Sequence, residues 1–285
     1  RCDFVVVSDV IAETDTTACA DVKLPALAWG EKDGTVTNSE RVISRQRPLF
    51  APPGEAKADW WIVQDVARRM GFGDAFAFDG PAAVFREYAA QTGFRNDGRR
   101  KLDISEWAGT GDIEYDEWAP KVWGGTSPFA DSRFTTADGK ARLVAVVPPA
   151  SALADPRFPL RLNTGRYRDQ WHTMTRTGLS PRLSQHRREA RVEIHPHDAK
   201  ERGIDDGRLA RITTPQTSSI FRVEITEAQR KGEIFVPMHW TDQMSNGGRA
   251  NRLPDQLVDP ISGQPAFKNN PCNIAAVEEE WRGFL

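Results

Sequence analysis

The 285-residue chain has little cysteine, little histidine and no charge excess. Its three cysteines, Cys2, Cys19 and Cys272, stand far apart without CxxC spacing. So sparse and odd a set excludes a disulfide framework and a zinc knuckle, and fits a reducing, hence cytoplasmic, compartment. Lysine and arginine number 38 against 40 acidic residues, a formal net charge of −2. A generic nucleic-acid binder carries a clear positive excess, so that class is set aside. No apolar run is long enough to span a bilayer, and the opening residues carry no signal-peptide pattern. GxSxG, HExxH, Walker and GxGxxG motifs are all missing, so no residue is assigned a catalytic role. The five histidines are too few and too dispersed to define a metal site. The nearest pair, His195 and His197, reads instead as the opening of a short helix, with Pro196 and Asp198 in its first turn.

What is present falls into three stretches. Residues 1–60 read as strand, loop, short helix and strand, the end of an α/β domain. "FVVVSD" is an apolar β-branched run ending in polar residues, the pattern of a buried parallel strand. It starts at Phe4 with nothing before it to build the rest of a sheet, so the chain is expected to be a fragment. Ligands of open α/β sheets sit beyond the carboxyl ends of the strands, where Ser8 and Asp9 fall. Asp33-Gly34 and Asn38-Ser39 mark turns nearby.

Residues 61–157 read as an irregular connection of helices and loops. "DWWIVQDVARRMGF" has helical spacing with Asp59 as N-cap, and "GPAAVFREYAAQTGF" runs from Pro81 to Gly93. The tryptophans beyond it are read as anchors to a core rather than as ligand-stacking surfaces. "GKARLVAVVPP" reads as a strand ending in a Pro–Pro linker. Residues 158–285 read as one β-rich unit. "PLRLNTGR", "ARVEIHP", "GRLARITT", "SIFRVEITE" and "GEIFVPMHW" are short strands between Gly, Pro, Asp and Thr turns, with "PHDAKERGI" as a short helix.

The densest concentration of directional groups is "TGRYRDQWHT", residues 164–173. A Thr-Gly turn presents backbone N–H groups and a hydroxyl to an anion, and Arg166 adds a fork of donors. Trp171 offers a flat face; His172 and Thr173 offer polar atoms. These suit a ligand with a diphosphate and a flat heterocycle. On residues alone, a hairpin with a core Trp and paired arginines fits equally. A carboxylate such as Asp9 or Asp59 accepts two parallel N–H donors from guanine, yet each also suits a helix cap. "RLSQHRREARVE" is interrupted by Glu189 and Glu193, and reads as a solvated face or partner surface.

Four motifs in order then carry a resemblance. "VVSD" with "ADVKLPALAWGEKDGTVTNSERV", followed by "TGRYRDQWHTMTRTG", "HPHDAKERGIDDGRLARI" and "DPISGQPAFKNNP", resembles the molybdopterin guanine dinucleotide (MGD) oxidoreductases, the dimethyl sulfoxide reductase family. Within it, "QWHTMTRTG" and "HWTDQMSNGGRANRL" are most similar to the bacterial assimilatory nitrate reductases, then to periplasmic nitrate reductases and formate dehydrogenases. The resemblance implies an α/β parallel-sheet portion followed by a double-psi β-barrel, with a molybdenum bis-MGD cofactor. It implies nucleotide contacts at Ser8, Asp9, Lys32 and Asp59. It implies further cofactor contacts at Thr164, Gly165, Arg166, Gln170, Trp171, His172, Thr173, Asn251 and Lys268. Met238 falls where related nitrate reductases place a residue near the substrate funnel. The family's cysteine cluster for a [4Fe–4S] centre and its cysteine ligand to molybdenum match no cysteine of this sequence. Both are expected in N-terminal domains missing here, which would be partners of this chain together with nitrate and an electron donor. A formate dehydrogenase-like subunit and a stand-alone MGD-binding module are the alternatives.

Overall fold

A computed structural model describes residues 2–125, 129–134, 136–145 and 155–278. Among these, no helix is long and apolar enough to cross a membrane. The chain divides into two compact units, Arg1–Val144 and Ala145–Leu285.

In the first unit, β1 (Val6–Asp9) pairs in parallel with β2 (Val22–Pro25), Val6 opposite Val22 and Asp9 opposite Pro25. The partner strand thus lies inside a segment read as loop and short helix. A single 3-10 turn, Thr17–Cys19, joins the two strands. The buried Thr17 hydroxyl holds it by donating to the Ala12 carbonyl at 2.9 Å while accepting from the Thr14 N–H at 2.7 Å. A parallel bridge from Ala26 to Lys57 adds a third segment beside β2. The expectation of a buried strand fails. Val6 is 49% exposed, because among the described residues β1 has a strand neighbour on one side alone.

"WGEKDGTVTNSERV" supplies a hairpin rather than one strand. β3 (Gly34–Thr37) pairs with β4 (Val42–Gln46), which pairs with β5 (Lys121–Val122), all antiparallel. Asn38 makes the turn, its side-chain oxygen accepting the N–H groups of Glu40 and Val42. Three helices accompany this sheet: α1 (Asp59–Arg69), α2 (Pro81–Gly93) and α3 (Asp112–Asp116). Ala58, not Asp59, is the cap of α1; Asp59 occupies the first turn, where a carboxylate meets the positive end of the helix dipole. The core joins Ile43 of β4 to Phe85 and Ala89 of α2, with Tyr115 of α3 and with Ile104 and Trp118 from the loops. Trp118 packs edge-on against Phe85 and Trp107 at about 5 Å, and its indole N–H donates to the Ile43 carbonyl at 3.2 Å. Here the tryptophans are anchors. α2 ends where Phe94 turns extended, and its last residue is glycine because a Cβ at Gly93 would lie 2.5 Å from Ser105.

"GKARLVAVVPP" forms no strand over its described residues. Leu143 and Val144 are exposed coil, and Val146–Pro149 lie outside the described residues.

The second unit is a closed barrel. Its strands are β6 (Leu160–Gly165), β7 (Arg191–Ile194), β8 (Leu209–Thr213), β9 (Ser218–Ile225), β10 (Glu233–Pro237) and β11 (Asn270–Ala276). They run in the order β10-β6-β11-β8-β9-β7, and β7 closes back onto β10. Two pairs are parallel, β6 with β10 and β7 with β9, and the rest antiparallel. This is the double-psi β-barrel the resemblance implies. Alternate residues of every strand point inward, among them Leu162, Val192, Ile212, Val223 and Ile234, each fully buried. Each such side chain contributes roughly 1.5–3 kcal/mol. β11 was not read as a strand, since Pro271 and Cys272 mask its alternation; Asn270, Cys272 and Ile274 nonetheless face the core. Short helices α4 (Pro181–Ser184) and α5 (Pro196–Glu201) cover the connections on either side of β7.

Candidate cofactor site

Strand direction gathers the second unit's residues. β6 and β10 are parallel with Gly165 opposite Pro237, so both leave the barrel at one rim. β11 is antiparallel to β6 and begins at Asn270, which places the residues just before it at the same rim. The loop after β6, the turn after β10 and Lys268 therefore meet. Met238 donates its N–H to the Gly165 carbonyl at 2.9 Å, and its own carbonyl accepts from the Asn251 amide at 3.4 Å. The Lys268 ammonium donates to the Thr164 carbonyl.

Thr164 is buried, its hydroxyl donating to the Phe267 carbonyl at 3.2 Å, so it braces the rim rather than facing outward. At Gly165 a Cβ would lie 2.8 Å from the Phe235 ring; this position needs glycine for close approach, not for its dihedral. Gln170 is also buried, its side-chain carbonyl accepting from the Thr177 hydroxyl at 2.6 Å. Arg166, Trp171, His172 and Thr173 are exposed together. The Arg166 guanidinium lies over the Trp171 ring at 5.1 Å, and Trp171 meets His172 edge-on at 4.4 Å. Trp171 is 62% exposed, which removes the reading of this residue as core. His172 and Met174 both have left-handed backbones, φ 43° and 59°. Such strain at non-glycine residues persists only where the surroundings impose it.

Against the first of these residues, His172, packs His239, a residue the sequence reading passed over. It is fully buried. Its Nε2 accepts the Tyr167 N–H at 2.8 Å, and its Nδ1 lies 2.7 Å from the His172 carbonyl. An imidazole that accepts at Nε2 and meets a carbonyl at Nδ1 carries its proton on Nδ1 and is neutral. Burial pushes its pKa down, and the nearby Arg166 charge adds to this. The available signal was small: a lone histidine just after an apolar strand.

The charges at the rim are unequal. Arg168 is spent on Asp169 at 2.9 Å, which holds that carboxyl below its usual range. Arg166 has no carboxylate partner among the described residues. A guanidinium without a carboxylate partner among the described residues, an ammonium held at the same rim by the Thr164 carbonyl and an exposed indole face fit a diphosphate joined to a flat ring. The residues present suit a pterin dinucleotide.

In the first unit, the predicted residues share the carboxyl edge of the parallel ribbon. Ser8 is exposed, while Asp9 turns its carboxylate onto the N–H groups of Val10 and Ile11 at 2.7 and 3.3 Å. Lys32 and Asp59 form an ion pair at 2.5 Å, so each neutralises the other. A cleft of about 310 Å³ opens at this edge, lined by Asp9, Thr17, Lys23, Glu31 and Glu55 among others. Ser8, Lys32 and Asp59 lie outside its lining. In α5, His195 is the N-cap, its Nδ1 accepting the His197 N–H at 3.0 Å. His197, Asp198 and Glu201 cluster on that helix, but the Asp198 carboxylate is held by the Gly232 N–H at 2.7 Å.

Fold and rim together define a dinucleotide-holding barrel attached to an α/β segment. Comparison with known proteins gives the class a family. The molybdopterin dinucleotide binding domain matches residues 160–271, and the molybdopterin oxidoreductase family matches residues 1–69. The chain is 48% identical to a nitrate reductase of Klebsiella oxytoca, covering all of this chain and 33% of that protein. It is 33% identical to the F420-dependent formate dehydrogenase subunit alpha of Methanocaldococcus jannaschii, covering 93% and 38% respectively. Acetylene hydratase from Pelobacter acetylenicus has the same fold over 96% of this chain and 40% of its own, with a TM-score of 0.73 at 20% identity. The chain belongs to the molybdopterin oxidoreductases and contains their dinucleotide-binding domain, in agreement with the bis-MGD cofactor that the resemblance implies. It spans about a third of the length of the curated relatives it matches.

Proposed function

We propose that this chain is the cofactor-holding portion of an assimilatory, cytoplasmic nitrate reductase that reduces nitrate to nitrite. The identity of 48% over the whole chain to a nitrate reductase supports the substrate. The observation that carries the cofactor role is the rim loop, with Arg166 stacked on an exposed Trp171 and Lys268 close by. When bound, the molybdenum cofactor would supply the two-electron chemistry that removes an oxygen from the substrate. The chain's own residues bind and orient it. Arg166 and Lys268 neutralise the diphosphate, Trp171 gives a flat face to the ring system, and Thr173 and Asn251 supply directional hydrogen bonds. Ser8, Asp9, Lys32 and Asp59 are assigned to a nucleotide end, with Lys32 exchanging its contact with Asp59 for phosphate. Thr164, Gly165 and Gln170 serve by shaping the loop, His172 by lying at its exposed tip, and Met238 by lining the approach to substrate. An electron donor and the remaining domains of the enzyme complete it.

A formate dehydrogenase-like enzyme is the second reading, supported by the 33% identity to the methanogen subunit. The natural full-length polypeptide, purified and analysed for molybdenum and for GMP released by acid, tests the cofactor. GMP in two-to-one ratio to molybdenum is expected of a bis-dinucleotide site. Viologen-linked assays with nitrate and with formate then separate the two substrates. Turnover of formate and not nitrate overturns the first reading; a protein with neither metal nor GMP overturns both and leaves a binding module.

A further inference from the structure

The loop from Arg166 to Thr173 has to hold two exposed aromatic groups and an unpaired cation in a fixed arrangement, yet few of its own hydrogen bonds do so. The Gln170 N–H reaches the Tyr167 carbonyl at a long 3.4 Å, and the Trp171 N–H reaches the Thr177 hydroxyl at 3.2 Å. Side chains add two ties, Gln170 taking the Thr177 hydroxyl at 2.6 Å and Asp169 meeting His186 at 2.7 Å. The two shortest ties of the loop's backbone, however, run to one buried ring, His239, which takes the N–H of Tyr167 and meets the carbonyl of His172. These two residues bracket the loop and have opposite polarity. Only a group with a donor and an acceptor about 2 Å apart on one rigid frame satisfies both, which a neutral imidazole does.

We infer that His239 is a positioning residue for the cofactor: its ring sets the separation of Tyr167 and His172 and thereby the direction in which Arg166 and Trp171 face the dinucleotide. This rests on the cofactor reading above. His239 touches no ligand and acts through the loop. Its place follows from topology, since β10 runs parallel to β6 and delivers its next residues beside the start of the loop. Protonation would place a second donor against the Tyr167 N–H and break that tie. The charged or titratable groups that bear on the ring are Arg166 and His172 of the loop itself. The rings nearest it are those of Tyr167 and of its chain neighbour Trp240.

The experiment uses the full-length natural polypeptide and two variants, H239L and H239Q. Leucine fills the space without hydrogen bonds; glutamine restores a donor and an acceptor. Two quantities are read: amide hydrogen exchange over residues 166–173, and molybdenum and GMP retained per chain after gel filtration. In H239L the exchange should rise and the retained cofactor should fall, each about tenfold, as a buried donor and acceptor lose their partners. H239Q should recover both. Wild-type retention should decline on acidification, while that of H239Q stays level, a difference that mere packing of the ring would not produce. Faster exchange with full cofactor content overturns the inference, and so does unchanged exchange. Should H239L fail to fold, the wild-type and H239Q acid profiles decide alone, and parallel profiles overturn it. Wild-type protein without molybdenum or GMP refutes the cofactor reading instead, and the exchange data still report on the clamp.

Discussion

The two units solve the same problem, keeping polypeptide backbone and apolar surface out of water, in different ways. The barrel leaves no strand unpaired: six strands close on themselves, and inward side chains form one continuous core. The first unit, among its described residues, pairs β1 on one side only and builds its core elsewhere, from α2 and further aromatics packed on β4. Closure makes alternation obligatory, because each strand has one wet and one dry face. An aromatic cluster has no such period, since Trp107, Tyr115 and Trp118 reach it from a 3-10 turn, the short helix α3 and the loop after it. The lesson lies in where each unit can support a ligand. The barrel rim is backed by a rigid wall that can brace strained loops, whereas the ribbon edge relies on local turns such as that of Asp9.

Substitutions can break this comparison. The largest effect is expected in the cores, where Trp118→Ala and Leu162→Ala should each cost roughly 3–5 kcal/mol by denaturant unfolding of their unit. A Leu162→Ala cost near zero would mean the barrel core is loosely packed, and the contrast would fail. Next comes pH. Because His239 has its pKa lowered in the folded state, its contribution is complete above the ordinary histidine value of 6.5. It is lost as pH falls from there through the folded pKa, since the unfolded chain then binds the extra proton. The barrel's melting temperature should drop over that acid window, and H239Q should flatten the drop.

Thiol chemistry sharpens the contrast further. Burial pushes the Cys272 thiol up to about 12, while Cys2 and Cys19 are exposed. Iodoacetamide at neutral pH should label two thiols in native protein and the third on unfolding; rapid native labelling of Cys272 would show that the barrel opens. Smaller still, Lys32→Ala should change stability by under about 1 kcal/mol, because its pair with Asp59 is largely exposed. The same variant should lower GMP retention in the full-length polypeptide if Lys32 holds phosphate. The smallest effect is reserved for Val6→Ala, within about 0.5 kcal/mol, as expected of a half-exposed position. A cost like that of Leu162→Ala would mean β1 is buried in the whole protein.

Much was legible before any coordinates. Five of the barrel strands announced themselves by alternation, and the helix at α2 by Pro81 and its spacing. β11 did not, because proline and cysteine interrupt the usual β-branched signature. β1 looked buried from its valines, but valine reports β-propensity as readily as burial. Within the site, Arg166, Trp171 and Thr173 were picked by chemistry and are displayed; Thr164, picked by the same chemistry, and Gln170, implied by the resemblance, are tucked inward.

Residue type and local period by themselves determined the β-rich second half and the absence of any catalytic signature, while the four ordered motifs implied the class of ligand through the family resemblance they carry. Which polar groups face outward, and that a buried His239 joins Tyr167 to His172, only the tertiary structure decided. The contact spans about 70 residues and exists because two parallel strands end at one rim, a pairing that no local pattern encodes.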